Sequence, residues 1–195
     1  MLILSLPPVH QKELLRFIIE HPAVDAVRYN TGMSSARDPY GTLKLIKELA
    51  DKISKPVYVD LKAKQLRVTQ WADVPYGPIE LNHKIEVDLP ARVYFRNDDS
   101  TNLRQVVNGN EIYVDPLPRF PVGKGQSVNI IAKDLKIQGG LLEKDREYVR
   151  AALDLGLSRF MLSFTESMTD VDELVETLQI CSRGAALPEE WELVF

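Results

Sequence analysis

The chain holds a single cysteine, Cys181. That excludes an internal disulfide and fits a reducing compartment such as the cytoplasm. Cys181 falls inside a helical pattern, so packing is expected of it rather than nucleophilic chemistry. Histidine is scarce too. His10, His21 and His83 share no ligand-like spacing, and surface or loop positions are expected for all three. No apolar run is long enough to span a bilayer. The opening residues Met1–Leu6 lack the basic stretch of a signal peptide and read as a strand. Neither sign of charge dominates: 28 acidic residues stand against 24 basic ones, for a net charge of −4. This balance argues against nucleic acid as the main partner, and it leaves room for a local basic pocket that takes a phosphorylated metabolite. Internal repeats and low-complexity segments are absent. The stretch Gly123-Lys124-Gly125-Gln126-Ser127 lacks the full spacing of a phosphate loop and reads as a hinge.

What is present is an alternation of strand and helix patterns. Leu2–Leu6 is a continuous apolar run, the mark of a strand buried on both faces. Pro7-Pro8 ends it. Leu14, Leu15, Ile18 and Ile19 give Gln11–Glu20 a helical period. Val24–Tyr29 is a second strand. Asp38-Pro39 opens a helix whose inward stripe is Leu43, Ile46, Leu49 and Ile53. Pro56 stops it, and Val57–Leu61 is the third strand. Later, Gly139-Gly140 reads as a turn, and Glu143–Leu155 as a helix closed by Gly156. Phe160–Phe164 is a fourth strand. Thr169 or Asp170 caps a helix that Gly184 ends, and Trp191–Phe195 has the composition of a fifth strand. Such alternation implies parallel strands joined by crossover helices.

Between these halves the pattern changes. Residues 68–124 hold six of the chain's twelve prolines and show almost no helical period. Short β-rich pieces at Ile79–Leu81, Arg92–Phe95 and Glu111–Val114 alternate with turn signals at Asn97-Asp98-Asp99 and Asn108-Gly109-Asn110. This reads as a small all-β insertion. The expected division is therefore 1–67, 68–124 and 125–195.

Polar and charged groups cluster where the apolar runs end. Arg28-Tyr29-Asn30 closes the second strand, Asp60-Leu61-Lys62 the third, and Ser163-Phe164 the fourth. In an α/β barrel that edge carries the active site. Guanidinium groups suit phosphate oxygens because they bind bidentately and stay charged. Carboxylate and amide oxygens suit hard cations. Each residue also has a structural reading. Asp60 can cap a turn. Arg28 can be half of an ion pair. Asp115 can be a turn residue before Pro116. Lys62 and Lys64 are expected to form a solvated strand end.

In this order the motifs resemble those of the pyruvate kinase family: arginine–x–asparagine, then aspartate–x–lysine with an arginine five residues past the lysine, then a β insertion, a Leu141-Leu142-Glu143-Lys144-Asp145 helix start and Ser163-Phe164. The resemblance implies a partial TIM (β/α) barrel, about its first five strands, with a small all-β lid inserted after the third strand. It implies a phosphotransferase that converts phosphoenolpyruvate and ADP to pyruvate and ATP in glycolysis, with Mg²⁺ or Mn²⁺ and K⁺. Arg28 would contact the transferring phosphoryl group, and Arg67 would lie on the nucleotide side with Asp115. Asn30, Asp60 and the Leu61 carbonyl would hold the monovalent cation, and Ser163 and Phe164 would line the phosphoenolpyruvate pocket. The departures are specific. The family's serine–histidine is Gly32-Met33 here, its glycine–proline hinge is Ala63-Lys64, a glutamate is Gln65, and an arginine is Glu166. The family's catalytic lysine and divalent-metal carboxylates match no residue of this chain. The expectation is a chain incomplete for catalysis by itself, being a fragment or completed by another polypeptide or a second copy, or else a non-catalytic paralogue that binds a metabolite or regulates.

Overall fold

The computed structural model describes residues 1–96, 99–182 and 191–195. The expected turn at Asn97-Asp98 and the helix stop at Gly184 lie outside the described residues. The chain divides into two compact units, Met1–Ala63 with Gly140–Phe195, and Lys64–Gly139.

The first unit is a five-stranded parallel sheet. Its strands are β1 (Ile3–Ser5), β2 (Ala26–Asn30), β3 (Val57–Leu61), β11 (Arg159–Leu162) and β12 (Glu192–Val194), side by side in that order. Helices α1 (Lys12–Glu20), α2 (Pro39–Asp51), α3 (Glu143–Asp154) and α4 (Met168–Cys181) join them. Strands laid down in sequential order with right-handed crossovers bring all their helices to one face. The core confirms this. Val27, Tyr29, Val59, Leu61, Phe160 and Leu162 of the strands pack with Leu15 and Ile19 of α1, Leu43 and Ile46 of α2, Val149 of α3, and Leu174 and Leu178 of α4. Because side chains alternate along a strand, the other face receives Arg28, Asn30, Tyr58, Asp60 and Arg159. The helix-covered face is apolar and the opposite one is polar.

Local signals explain the helix ends. Asp38 accepts the Gly41 N–H at 2.7 Å, with Pro39 at the first helical position of α2. At α4 the cap is Ser167, two or three residues earlier than the expected Thr169 or Asp170. Asp170 sits three residues on, and its carboxylate accepts the N–H of Ser167 at 3.0 Å and of Glu166 at 2.9 Å. Ile53, expected in the buried stripe of α2, lies past the helix end and is exposed, while Ala50 is buried instead.

The second unit is antiparallel. Strands β4 (Ile79–Glu80), β6 (Ala91–Tyr94), β7 (Ser100–Val107), β8 (Glu111–Asp115) and β9 (Asn129–Ile131) form one sheet in the order β4-β8-β7-β6-β9. Strands β5 (Ile85–Glu86) and β10 (Lys136–Ile137) pair separately. Leu81, Val93, Leu103, Ile112 and Ile130 lie in its core. Asn108 and Gly109 both take positive φ, 53° and 84°, in the β7–β8 hairpin, where such residues match the strand twist. Residues 125–139, expected with the later α/β segment, belong here because β9 pairs with β6 and β10 with β5. The unit boundary is Gly139-Gly140, and Gly123–Ser127 lies inside the β unit. His83, expected at a surface or loop position, lies in the loop before β5 but is buried, with its Nδ1 3.2 Å from the Gln138 carbonyl.

Candidate active site

Parallel strands in register bring their C-terminal ends to one edge of the first unit. Ser5 is level with Arg28, and Asn30 and Met161 are both level with Asp60. Asp60 is the centre. Its side chain is wholly buried, a costly place for a carboxylate unless partners satisfy it. Ser163 Oγ donates to Asp60 Oδ1 at 2.6 Å. Lys62 Nζ donates to Oδ2 at 2.7 Å and lies 3.2 Å from Ser163 Oγ. Arg28 Nε lies 3.5 Å from the same Oδ2 and donates to Ser5 Oγ at 3.0 Å. Arg28, Asp60 and Ser163 are thus brought together at one strand edge.

Lys62 was expected to be solvated. Instead its side chain is 13% exposed and forms an ion pair with Asp60. The signal was available, since residues two apart on a strand share a face, and Asp60-Leu61-Lys62 therefore places ammonium beside carboxylate. A second residue, named in the sequence only as part of a helix start, has a role that the sequence reading did not give it. Asp145, at the start of α3, is buried and accepts the backbone N–H of Lys62 at 3.0 Å and that of Leu142 at 3.2 Å. Burial pushes its carboxyl above the usual range, while those N–H groups and the nearby Lys144 charge pull the other way.

Arg28 is held by Nε alone. Among the described residues neither of its terminal nitrogens has a hydrogen-bond partner, and the side chain is 36% exposed. It lines a pocket of about 500 Å³ with Ser163, Phe164, Thr165 and Phe195. Phe164 takes φ +64° and is half exposed. A non-glycine residue held there is strained, and such strain clusters at ligand sites.

The expected cation ligands are otherwise engaged. Asn30 Oδ1 accepts the Gly32 N–H at 2.8 Å, and the Leu61 carbonyl accepts the Ser163 N–H at 3.0 Å. The carboxylate of Asp60 is taken by Lys62, Ser163 and Arg28. This donor set does not fit a group-one cation as it stands. Among the described residues no three His, Cys, Asp or Glu side chains group as a metal site.

Arg67 and Asp115 belong to the second unit. Arg67 Nε and Nη2 reach Gln65 Oε1 at 3.0 and 2.6 Å, and Nη1 reaches the Gly125 carbonyl at 2.7 Å. Asp115 is exposed and pairs with Arg104 at 2.7 Å.

No protein-family model matches this sequence, and no curated protein matches it either. Solved structures do. Pyruvate kinase from Cryptosporidium parvum superposes with a TM-score of 0.63 at 18% identity, over 94% of this chain and 43% of its own. Pyruvate kinase from Pyrobaculum aerophilum gives 0.62 at 17% identity, over 95% of this chain and 46% of its own. The chain has a pyruvate kinase-like fold. It spans less than half the length of either enzyme. Among the described residues no helix is long and apolar enough to cross a membrane.

Proposed function

We propose that this chain carries the phosphoenolpyruvate-binding part of a pyruvate kinase-type phosphotransferase, the partial (β/α) barrel and inserted β lid that the resemblance implies. The reaction moves a phosphoryl group from phosphoenolpyruvate to ADP, giving pyruvate and ATP. It is proposed for the assembled enzyme of which these 195 residues are a part. Phosphoryl transfer asks a protein mainly for positioning and charge neutralisation. The observation that carries the reading is the state of Arg28. Its guanidinium is fixed from behind by Ser5 and Asp60 and faces a pocket with both terminal nitrogens unpartnered among the described residues. That is a fork prepared for an anion. Ser163 and Phe164 line the same pocket. Asp60 holds Arg28 and Lys62 in place and would not touch the substrate. Arg67 and Asp115 take the nucleotide side of this reading. When bound, Mg²⁺ or Mn²⁺ would supply neutralisation of phosphate charge, and its ligands in the family match no residue of this chain.

Calorimetric titration of phosphoenolpyruvate tests the reading. Saturable binding is expected, weakened at least about tenfold in Arg28→Met, as the loss of one charge-assisted pair implies. No binding, or equal binding by the variant, would overturn it.

A second reading is a non-catalytic metabolite-binding or regulatory paralogue. Gly32, Met33 and Glu166 favour it, because they remove a hydroxyl, an imidazole and a guanidinium from the family pattern. Binding without turnover, with the remainder of the enzyme supplied, would select it.

A further inference from the structure

Phe17 breaks the pattern of the helix layer. Helix α1 buries Leu15 and Ile19 against the sheet, yet Phe17 on the same helix is 64% exposed. Its ring is not loose. It meets His21 edge-on, with ring centroids 5.7 Å apart and planes 68° apart. Phe17 also lines a groove of about 620 Å³ with Leu45 and Leu49 of α2, both only partly covered. The charged side chains of this groove all come from α1: Lys12, Glu13, Arg16 and Glu20. Apolar surface of this kind, bordered by charge, marks a protein contact.

The charges say which protein. Residues four apart lie in one row along a helix, and the row Lys12, Arg16, Glu20 runs from positive to negative. Arg16 reaches Glu20 of its own helix at 3.7 Å, whereas Lys12 makes no ion pair among the described residues. Turned end for end, the same row brings Lys12 of one copy to Glu20 of the other, and does so twice. Antiparallel helices also set opposite dipole ends side by side. One patch thus carries a projecting ring, a groove able to receive a ring, and a charge row that complements its own reverse. That is the requirement for an isologous contact, in which the same surface serves both partners.

We propose that this face joins two copies of the chain about a twofold axis, with α1 antiparallel to α1 and each Phe17 seated in the α1–α2 groove of the other copy. Phe17 is the aromatic anchor. The contact with His21 fixes its ring beforehand, so little freedom is lost on docking. Lys12 and Glu20 at the rim set the direction of pairing. This contact involves α1 and α2 alone and is independent of the phosphoenolpyruvate site.

Sedimentation velocity of the 195-residue chain over a concentration series tests the contact. A monomer–dimer equilibrium is expected, with Kd on the order of 10–100 μM, as suits a small interface centred on one short helix. Phe17→Ser should weaken it at least about tenfold. Lys12→Glu alone and Glu20→Lys alone should each weaken it at least about threefold, because each sets like charges opposite one another. Both changes suit the helix dipole and lie on exposed side chains, so the fold is kept. An equimolar mixture of the two variants restores opposite charges at both ends, and its association should return to within about twofold of the unmodified protein. A chain that stays monomeric up to about 1 mM overturns the proposal. So does association that Phe17→Ser leaves unchanged, which would move the contact elsewhere, such as to the open sheet edges at β1 and β12. A mixture that associates no better than its separate variants overturns the antiparallel pairing.

Discussion

Asp145 Oδ1 accepts the backbone N–H of Lys62 at 3.0 Å, across 83 residues of chain. One carboxylate thereby ties the exit of β3 to the first turn of α3, where its Oδ2 also takes the Leu142 N–H. Asp145→Ala would leave two N–H groups without this acceptor in a buried setting. A loss of about 1–3 kcal/mol is expected in urea denaturation, the range for stranding buried polar groups. Phosphoenolpyruvate binding should weaken too, since the backbone that carries Lys62 loses its anchor. A loss below about 0.5 kcal/mol would contradict this role.

The same carboxyl gives a pH dependence with a defined sign. Burial raises its pKa in the folded protein. The folded state therefore holds the proton more tightly than the unfolded chain. The associated stability is fully present below the ordinary carboxylate value, near 3.8, and is lost as pH rises through the raised folded value. Asp145→Asn cannot titrate. Its stability relative to the unmodified protein should improve as pH rises from about 4 toward neutrality. Parallel stability–pH curves for the two proteins would contradict the assignment.

Two non-glycine residues at the strand ends hold positive φ, Ala63 at 36° and Phe164 at 64°. The left-handed region costs such residues roughly 1–2 kcal/mol, and glycine escapes most of that. Ala63→Gly should be neutral to stabilising, by up to about 1 kcal/mol, with binding unchanged. Phe164→Gly should relieve similar strain yet weaken phosphoenolpyruvate binding, because Phe164 lines the pocket. Equal effects of the two changes on binding would remove Phe164 from the site.

The parallel sheet was legible because its strands are short apolar runs stopped by proline or polar residues, and its helices carry a clear period. The edge cluster was legible because Arg28, Asp60 and Ser163 all follow such runs. Strand β7 was not. Its outward positions, Ser100, Asn102 and Arg104, hide the inward Thr101 and Leu103, and a register shift between Leu103 and Gln105 breaks the alternation. Lys62 and Asp145 were missed because a charged side chain at a strand end or helix start reads as solvated. The Asp60 partner of Lys62 is local, but Asp145 meets Lys62 across 83 residues, which no local window contains.

Gly140 approaches Glu173 so closely that an added Cβ would lie 1.7 Å from Oε2. Glu173 Oε1 accepts the Leu141 N–H at 3.2 Å and pairs with Arg146 at 2.6 Å. Gly140→Ala should push Glu173 aside and break both contacts. The pair is about a third exposed, so a modest loss of about 0.5–1.5 kcal/mol is expected, read as a shift in the urea midpoint. Glu173→Ala in the same background should then add almost nothing, as a double-mutant cycle would show. Additive losses would contradict the contact.

The most direct measurement is a crystal structure of the chain grown with phosphoenolpyruvate. The account predicts the phosphoryl oxygens on the terminal nitrogens of Arg28, beside Ser163 and Phe164, with Lys62 still paired to Asp60. Phosphoenolpyruvate bound away from Arg28, or a metal ion seated between Asn30 and Asp60 with Lys62 displaced, would contradict it.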